Sequence, residues 1–151
     1  MKEAVTYLPL KIPLLKKERK LLNNFSIAKE WLDYAHHDLQ AAEFLMKMTP
    51  KPLEIICYHC QQSAEKTLKA FLAFKNQEIP KVHDLTYLLD KCVELSPKLK
   101  KLQQEALDLT DYSTIVRYPF NIELNISDTK QALKNARKIY KIVENEIKSK
   151  E

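Results

Sequence analysis

Apolar residues recur at helical spacing through most of the chain, and the polar residues between them gather into stripes. Leu32, Ala35, Leu39, Ala42 and Leu45 keep a rhythm of threes and fours, and so do Ile56, Cys57, Cys60, Ala64, Leu68, Phe71 and Leu72. Shorter runs follow: Leu85, Leu88, Leu89, Cys92 and Val93, then Leu99, Leu102, Ala106 and Leu109. A last stripe runs through Ala132, Leu133, Ala136, Ile139, Tyr140, Val143 and Ile147. Each run predicts one amphipathic helix.

Local signals set the expected boundaries. Ser26 is placed to cap a first helix that runs to about Met48, where Thr49-Pro50-Lys51-Pro52 breaks it. A second begins near Pro52, which suits a first turn, and continues to Phe74 or Gln77. Asp84 is a plausible cap for the third, and Ser96-Pro97 opens the fourth. That helix must stop before Pro119, because the residue preceding a proline is pushed out of the α region. Residues 120–126 show no helical period, and Ser127-Asp128 opens the fifth helix. The prediction is an all-α, five-helix up-and-down bundle over residues 26–150. Residues 1–25 read as a short extended basic N-terminal arm, in which Val5, Thr6 and Tyr7 favour a short strand that Pro9 ends.

Composition narrows the chemistry. The 151 residues contain no glycine. Phosphate-cradling loops need glycine where the backbone turns sharply against the anion, so a Walker loop, a dinucleotide-binding turn and a kinase glycine-rich loop are excluded. A nucleotide here has to be held by side chains or helix N-termini. The net charge of +5 is concentrated in residues 1–25, where six basic side chains stand against Glu3 and Glu18, so the remainder carries only +1. Basicity by itself therefore does not mark the helical domain as a nucleic-acid binder. Residues 4–15 are interrupted by Pro9, Lys11 and Pro13, which makes them a poor signal peptide and too short a membrane span. Three cysteines on apolar helical positions suit a reducing, cytoplasmic setting.

Candidate chemistry centres on the second helix and the segment before the fifth. His59, Gln62, Lys66 and Lys69 fall on one polar face at spacings of three and four. A histidine there can move a proton or donate to a phosphate, and His83 offers the same chemistry. The plainer roles are a His59 paired with Glu65 or Gln62, a His83 packed beside a helix entry, and a Glu65–Lys69 pair at i, i+4. Arg117 beside Tyr118 joins a planar guanidinium to an aromatic ring, a combination that binds phosphate and stacks a base. Its structural alternative is an ion pair with Asp108, Asp111 or Glu65. Cys57 and Cys60 with His59 invite a zinc reading, but both thiols share the apolar stripe and no second pair follows at finger-like spacing. They read as core, with no metal. His36 and His37 point in different directions around the first helix, so at most one faces any site.

Taken in order, Trp31-Leu32 with Ala35, Asp38, Leu39 and Ala42, then the run from His59 through Gln61-Gln62 and Glu65-Lys66 to Leu72, then Pro80 with His83-Asp84-Leu85, then Arg117-Tyr118-Pro119, this chain resembles the HEPN family over roughly residues 26–150. The resemblance implies a nucleotide- or RNA-binding helical dimer, with the second or fourth helix at its interface. It also implies a partner that is a minimal nucleotidyltransferase, in a two-protein module of toxin-antitoxin type. The expected ligand contacts are Arg117, Tyr118, His83, Lys66, His59, Gln62 and Lys69, with no cofactor and no membrane. Members of the family that cleave RNA carry an Arg followed after four to six residues by His. At the corresponding positions Arg117 has Ile122, Glu123 and Leu124, Arg19 has Asn24, Phe25 and Ser26, and Arg137 has Ile142, Val143 and Glu144. That motif is absent, which leans the reading away from an enzyme. A metal-independent ribonuclease with a variant site and a non-catalytic dimeric interaction protein are the alternatives.

Overall fold

The computed structural model describes residues 15–115 and 123–150. These form five α-helices: α1 (Lys16–Leu45), α2 (Leu53–Phe74), α3 (Leu85–Leu95), α4 (Gln103–Thr110) and α5 (Ile126–Lys148). No strand occurs among the described residues. Two 3-10 turns flank α4, at Pro97–Leu102 and Asp111–Ser113.

The centre of the bundle is α2, which packs against each of the other four helices. Its sequence explains why. From Ser63 to Phe74 only Lys66 is not buried, so the helix is enclosed on nearly all sides and carries the largest buried side chain, Phe71. It runs antiparallel to α1: His59, Ser63 and Lys69 on α2 meet Asp38, Ala35 and Trp31 on α1 in reverse order. Ala28, Ala35 and Ala42 recur every seven residues on α1 and are fully buried. With no side chain beyond Cβ they let the two backbones approach, and the Ser63 hydroxyl donates across the seam to the Ala35 carbonyl at 2.8 Å. The remaining core comes from Leu85, Leu88 and Leu89 of α3, Leu99 and Leu102 of the first 3-10 turn, and Ile139, Val143 and Ile147 of α5.

Several boundaries differ from those predicted. α1 starts at Lys16, ten residues before Ser26, which lies inside the helix. No glycine or proline interrupts residues 14–49, and the Glu18 carboxylate accepts the Leu15 N–H at 2.9 Å, so the helix has a cap further upstream than the one the apolar stripe suggested. The first two turns bury almost nothing, which is why the stripe did not announce them. The fourth predicted helix divides, with residues 97–102 in the tighter 3-10 form before α4 proper. α5 begins one residue early, capped by Asn125, whose side chain accepts the Asp128 N–H at 2.8 Å. Asp84 caps α3 as predicted, accepting from the N–H groups of Thr86 and Tyr87. After α2 the chain turns at Asn76, with φ of 54°. Asparagine here takes the left-handed position that glycine usually fills, and the Gln77 N–H reaches back to the Leu72 carbonyl at 2.9 Å. The strand expected at Val5–Tyr7 lies outside the described residues.

Candidate functional site

Two buried carboxylates organise the polar face of α2. Asp38 of α1 takes the His59 ring at 2.8 Å on one oxygen and the Lys66 ammonium at 2.6 Å on the other. Burial alone would raise the Asp38 carboxyl, but the bonds from His59 and Lys66 outweigh it and hold the group below its ordinary value. Glu65 lies a short way along the seam. It accepts from Lys69 at 2.8 Å and Gln61 at 3.2 Å, and the His83 Nδ1 sits 3.1 Å from it. Here too burial raises the carboxyl, and the contacts with Lys69 and His83 pull it down further than burial lifts it.

The amides tie the pieces together. Gln62 donates to the Gln61 side-chain oxygen at 2.8 Å, and Gln61 donates to the His83 backbone carbonyl at 3.1 Å. The loop that carries His83 is thus bound to α2 through both its backbone and its ring. The Lys69 ammonium also lies 5.9 Å from the centroid of the Trp31 ring, a cation–π contact in a nearly closed setting.

Five of the seven side chains singled out from the sequence meet in this network: His59, Gln62, Lys66, Lys69 and His83. They do not play equal parts. The Glu65 and Lys69 side chains are 7% and 9% exposed, so theirs is the interior i, i+4 pair that the spacing suggested. The His83 side chain is 63% exposed, and Lys66 and His59 are each 28% exposed, so these three face outward while the acids behind them do not. His59 pairs with Asp38 rather than with Glu65 or Gln62. Arg117 and Tyr118 lie outside the described residues. His36 and His37 are both exposed and stay apart from the network, His36 against Tyr140 and His37 against Tyr34.

Asp38 and Gln61 are the members that sequence reasoning missed. A signal for Asp38 was present: an acid at the third position after Ala35, inside the stripe that packs on α2. Gln61 is fully buried although it neighbours the polar stripe.

Chemically the arrangement places the Lys66 ammonium and the His59 and His83 rings at the surface, each oriented from behind by an acid. An imidazole held at Nδ1 presents Nε2 outward, and an ammonium bonded once keeps two N–H groups for a ligand. That suits an anion such as a phosphate. The three cysteines are buried in the core, where desolvation pushes Cys57 up to about 11 and Cys92 up to about 12, and raises Cys60 as well. Thiols held neutral in this way are poor ligands. Among the described residues no group of three or more His, Cys, Asp or Glu is placed to hold a metal ion. Nor is any helix among them long and apolar enough to cross a membrane.

The sequence matches the HEPN domain over residues 28–146. Among solved structures it is similar to TT1696 from Thermus thermophilus, at 26% identity and a TM-score of 0.69, covering 78% of this chain and 96% of that one. It also shares its fold with ST0689, an archaeal HEPN homologue, at 24% identity and a TM-score of 0.62, covering 80% of this chain and 97% of the other. No curated protein matches.

Proposed function

The chain belongs to the HEPN domain family, and on that premise we propose that it binds a nucleotide or an RNA end on the polar face of α2. The observation that carries this reading is the pair of buried acids, Asp38 and Glu65, which hold the partly exposed Lys66, His59 and His83 together at the surface. Arg117 and Tyr118 complete the proposed ligand set, contributing a bidentate phosphate contact and a stacking surface.

Lys66→Ala and Arg117→Ala are each expected to weaken binding of a nucleoside monophosphate or short RNA by about 1–3 kcal/mol, the range for one charge-assisted contact. Titration calorimetry measures this directly. Arg117→Lys should recover binding only in part if the contact is bidentate or stacked. Wild-type protein that binds neither ligand would sink the proposal.

The cell biology proposed with this site is a cytoplasmic, two-protein toxin-antitoxin-like module with a minimal nucleotidyltransferase as partner. The protein acts there as a homodimer. The two-fold contact is proposed to involve α2 or α4, where exposed Ile55 and Leu107 offer apolar surface for it. Light scattering is expected to give twice the 17.7 kDa chain mass, and a monomer mass at high micromolar concentration would count against it. One observation favours a second reading. His83 combines high exposure with a buried carboxylate at Nδ1, an acid-base pairing that a variant ribonuclease could use. Cleavage of RNA without metal, lost in His83→Ala, would select it over simple binding.

A further inference from the structure

The acids behind His59 and His83 fix which nitrogen of each ring carries its hydrogen. Asp38 and Glu65 are both held below their ordinary carboxyl values, so both are ionised at neutral pH, and an ionised carboxylate only accepts. The nitrogens that face them, His59 Nδ1 at 2.8 Å and His83 Nδ1 at 3.1 Å, must therefore be the donors. In a neutral imidazole the other nitrogen is then bare. Neither Nε2 has a hydrogen-bond partner among the described residues. The only buried side-chain atoms there that lack one are Glu105 Oε2 and Asn135 Nδ2, so the unpaired Nε2 of His59 reaches solvent, and the His83 side chain is 63% exposed.

A bare Nε2 does not bind a phosphate oxygen. Lone pair meets lone pair, and the contact forms only once a proton lies between them. Charge leads to the same result. Lys66 is spent on Asp38 and Lys69 on Glu65, two ammonium groups against two carboxylates, so the network has no net charge while its histidines are neutral. The remaining neighbours leave that balance unchanged. The Tyr58 ring stands edge-on to His59 at 5.9 Å between centroids, the Gln61 and Gln62 amides are neutral, and the charges of Lys81 and Asp84, which flank His83 in its own loop, offset one another. Each histidine that takes a proton adds one positive charge and one N–H donor.

That proton decides which phosphate is held. A monoester, as at the end of a nucleotide or of an RNA strand, has its second ionisation at about pH 6, so it brings a proton of its own or arrives with two negative charges. A diester inside a strand has no P–OH and a single charge. We propose that the polar face of α2 selects a terminal phosphate monoester over an internal phosphodiester, and that binding moves one proton onto Nε2 of His59 or His83. The proton has two sources. A monoester monoanion gives up its P–OH proton to Nε2 and becomes the dianion, whereas a monoester that arrives as the dianion leaves Nε2 to take the proton from the acid form of the buffer. Either way the complex sets a dianion against an imidazolium N–H, a charge-assisted contact that a diester matches with only half the charge. The inference deepens the nucleotide-binding reading above and rests on it.

The test is titration calorimetry of the full chain at pH 8 with UMP and with its methyl phosphate ester, which turns the monoester into a diester and leaves base and sugar alone. UMP is expected to bind at least about tenfold more tightly, the size of one charge-assisted contact. Repeating the UMP titration in buffers of different ionisation enthalpy should show uptake of about one proton per ligand, and UMP affinity should rise as pH falls from 8 to 6.5. Glutamine cannot take that proton. The double variant His59→Gln with His83→Gln should therefore bind UMP and the ester within about twofold of each other and take up no proton, a readout that a merely structural role for the two rings would not move. Pentauridylate with a 5′ phosphate, with a 3′ phosphate and with neither distinguishes the sources: preference for a phosphorylated strand identifies an RNA end, preference confined to UMP identifies a free nucleotide, and either supports the proposal. Equal affinity for UMP and its ester, no proton uptake, or uptake that survives in the double variant would overturn the monoester site while leaving nucleotide binding intact. Failure of every ligand to bind would overturn both.

Discussion

Replacing Glu65 by alanine is expected to lower the free energy of unfolding by about 3–5 kcal/mol, the range for breaking a buried pair so that its partner is left without compensation. The partner is Lys69, whose ammonium lies 2.8 Å from Glu65 at a side-chain exposure of 9%. The Trp31 ring 5.9 Å away cannot replace a carboxylate. Urea unfolding at pH 7 measures the loss, and a cost below about 1 kcal/mol would place the pair in the class of solvated surface bridges. The loss has a sign in pH. Because the folded state holds the Glu65 carboxyl below its ordinary 4.5, its stabilisation is fully present above that value and fades as pH falls through the lower folded value. The difference between wild type and Glu65→Ala should therefore narrow in acid. Asp38, held below its ordinary 3.8, fades in the same direction. Replacing both partners, as Glu65→Leu with Lys69→Met, should recover much of the loss, because it removes the unpaired charge along with the pair.

Phe71→Ala is expected to cost a similar amount, about 3–5 kcal/mol, by an unrelated route. The ring is fully buried in the last turn of α2, and its removal leaves a cavity in the core of the bundle. No titrating group is involved, so this loss should keep its size from pH 7 down to pH 4. Thermal or urea unfolding of the two variants at both pH values distinguishes them. A Phe71→Ala loss that shrinks with acid in step with Glu65→Ala would mean that the core and the polar network are not separable.

Two residues show how far the candidate site could be read in advance. Lys69 follows Glu65 by one helical turn, so their pairing was legible from spacing. That the pair is interior was not, because a lysine at that spacing ordinarily faces water, and here Trp31 of α1 approaches it from another helix. His59 was legible as a polar-face residue, whereas its acid lies 21 positions away on another helix. No local pattern connects them.

Helix number and type, the α3 cap at Asp84 and the burial of the three cysteines follow from the sequence alone, because apolar period, capping chemistry and the lack of glycine act within a few residues of one another. Family membership was equally legible, since the ordered motifs are a property of the chain. What tertiary structure decided is everything that depends on which helix faces which. The antiparallel seam between α1 and α2 converts a surface stripe into a half-buried network and recruits Asp38 to it. Likewise, the packing around α5 leaves Asn135 Nδ2 buried with no hydrogen-bond partner among the described residues. Both outcomes turn on desolvation, and whether a polar group is desolvated is settled by the neighbouring helix rather than by the residue's own position in the chain.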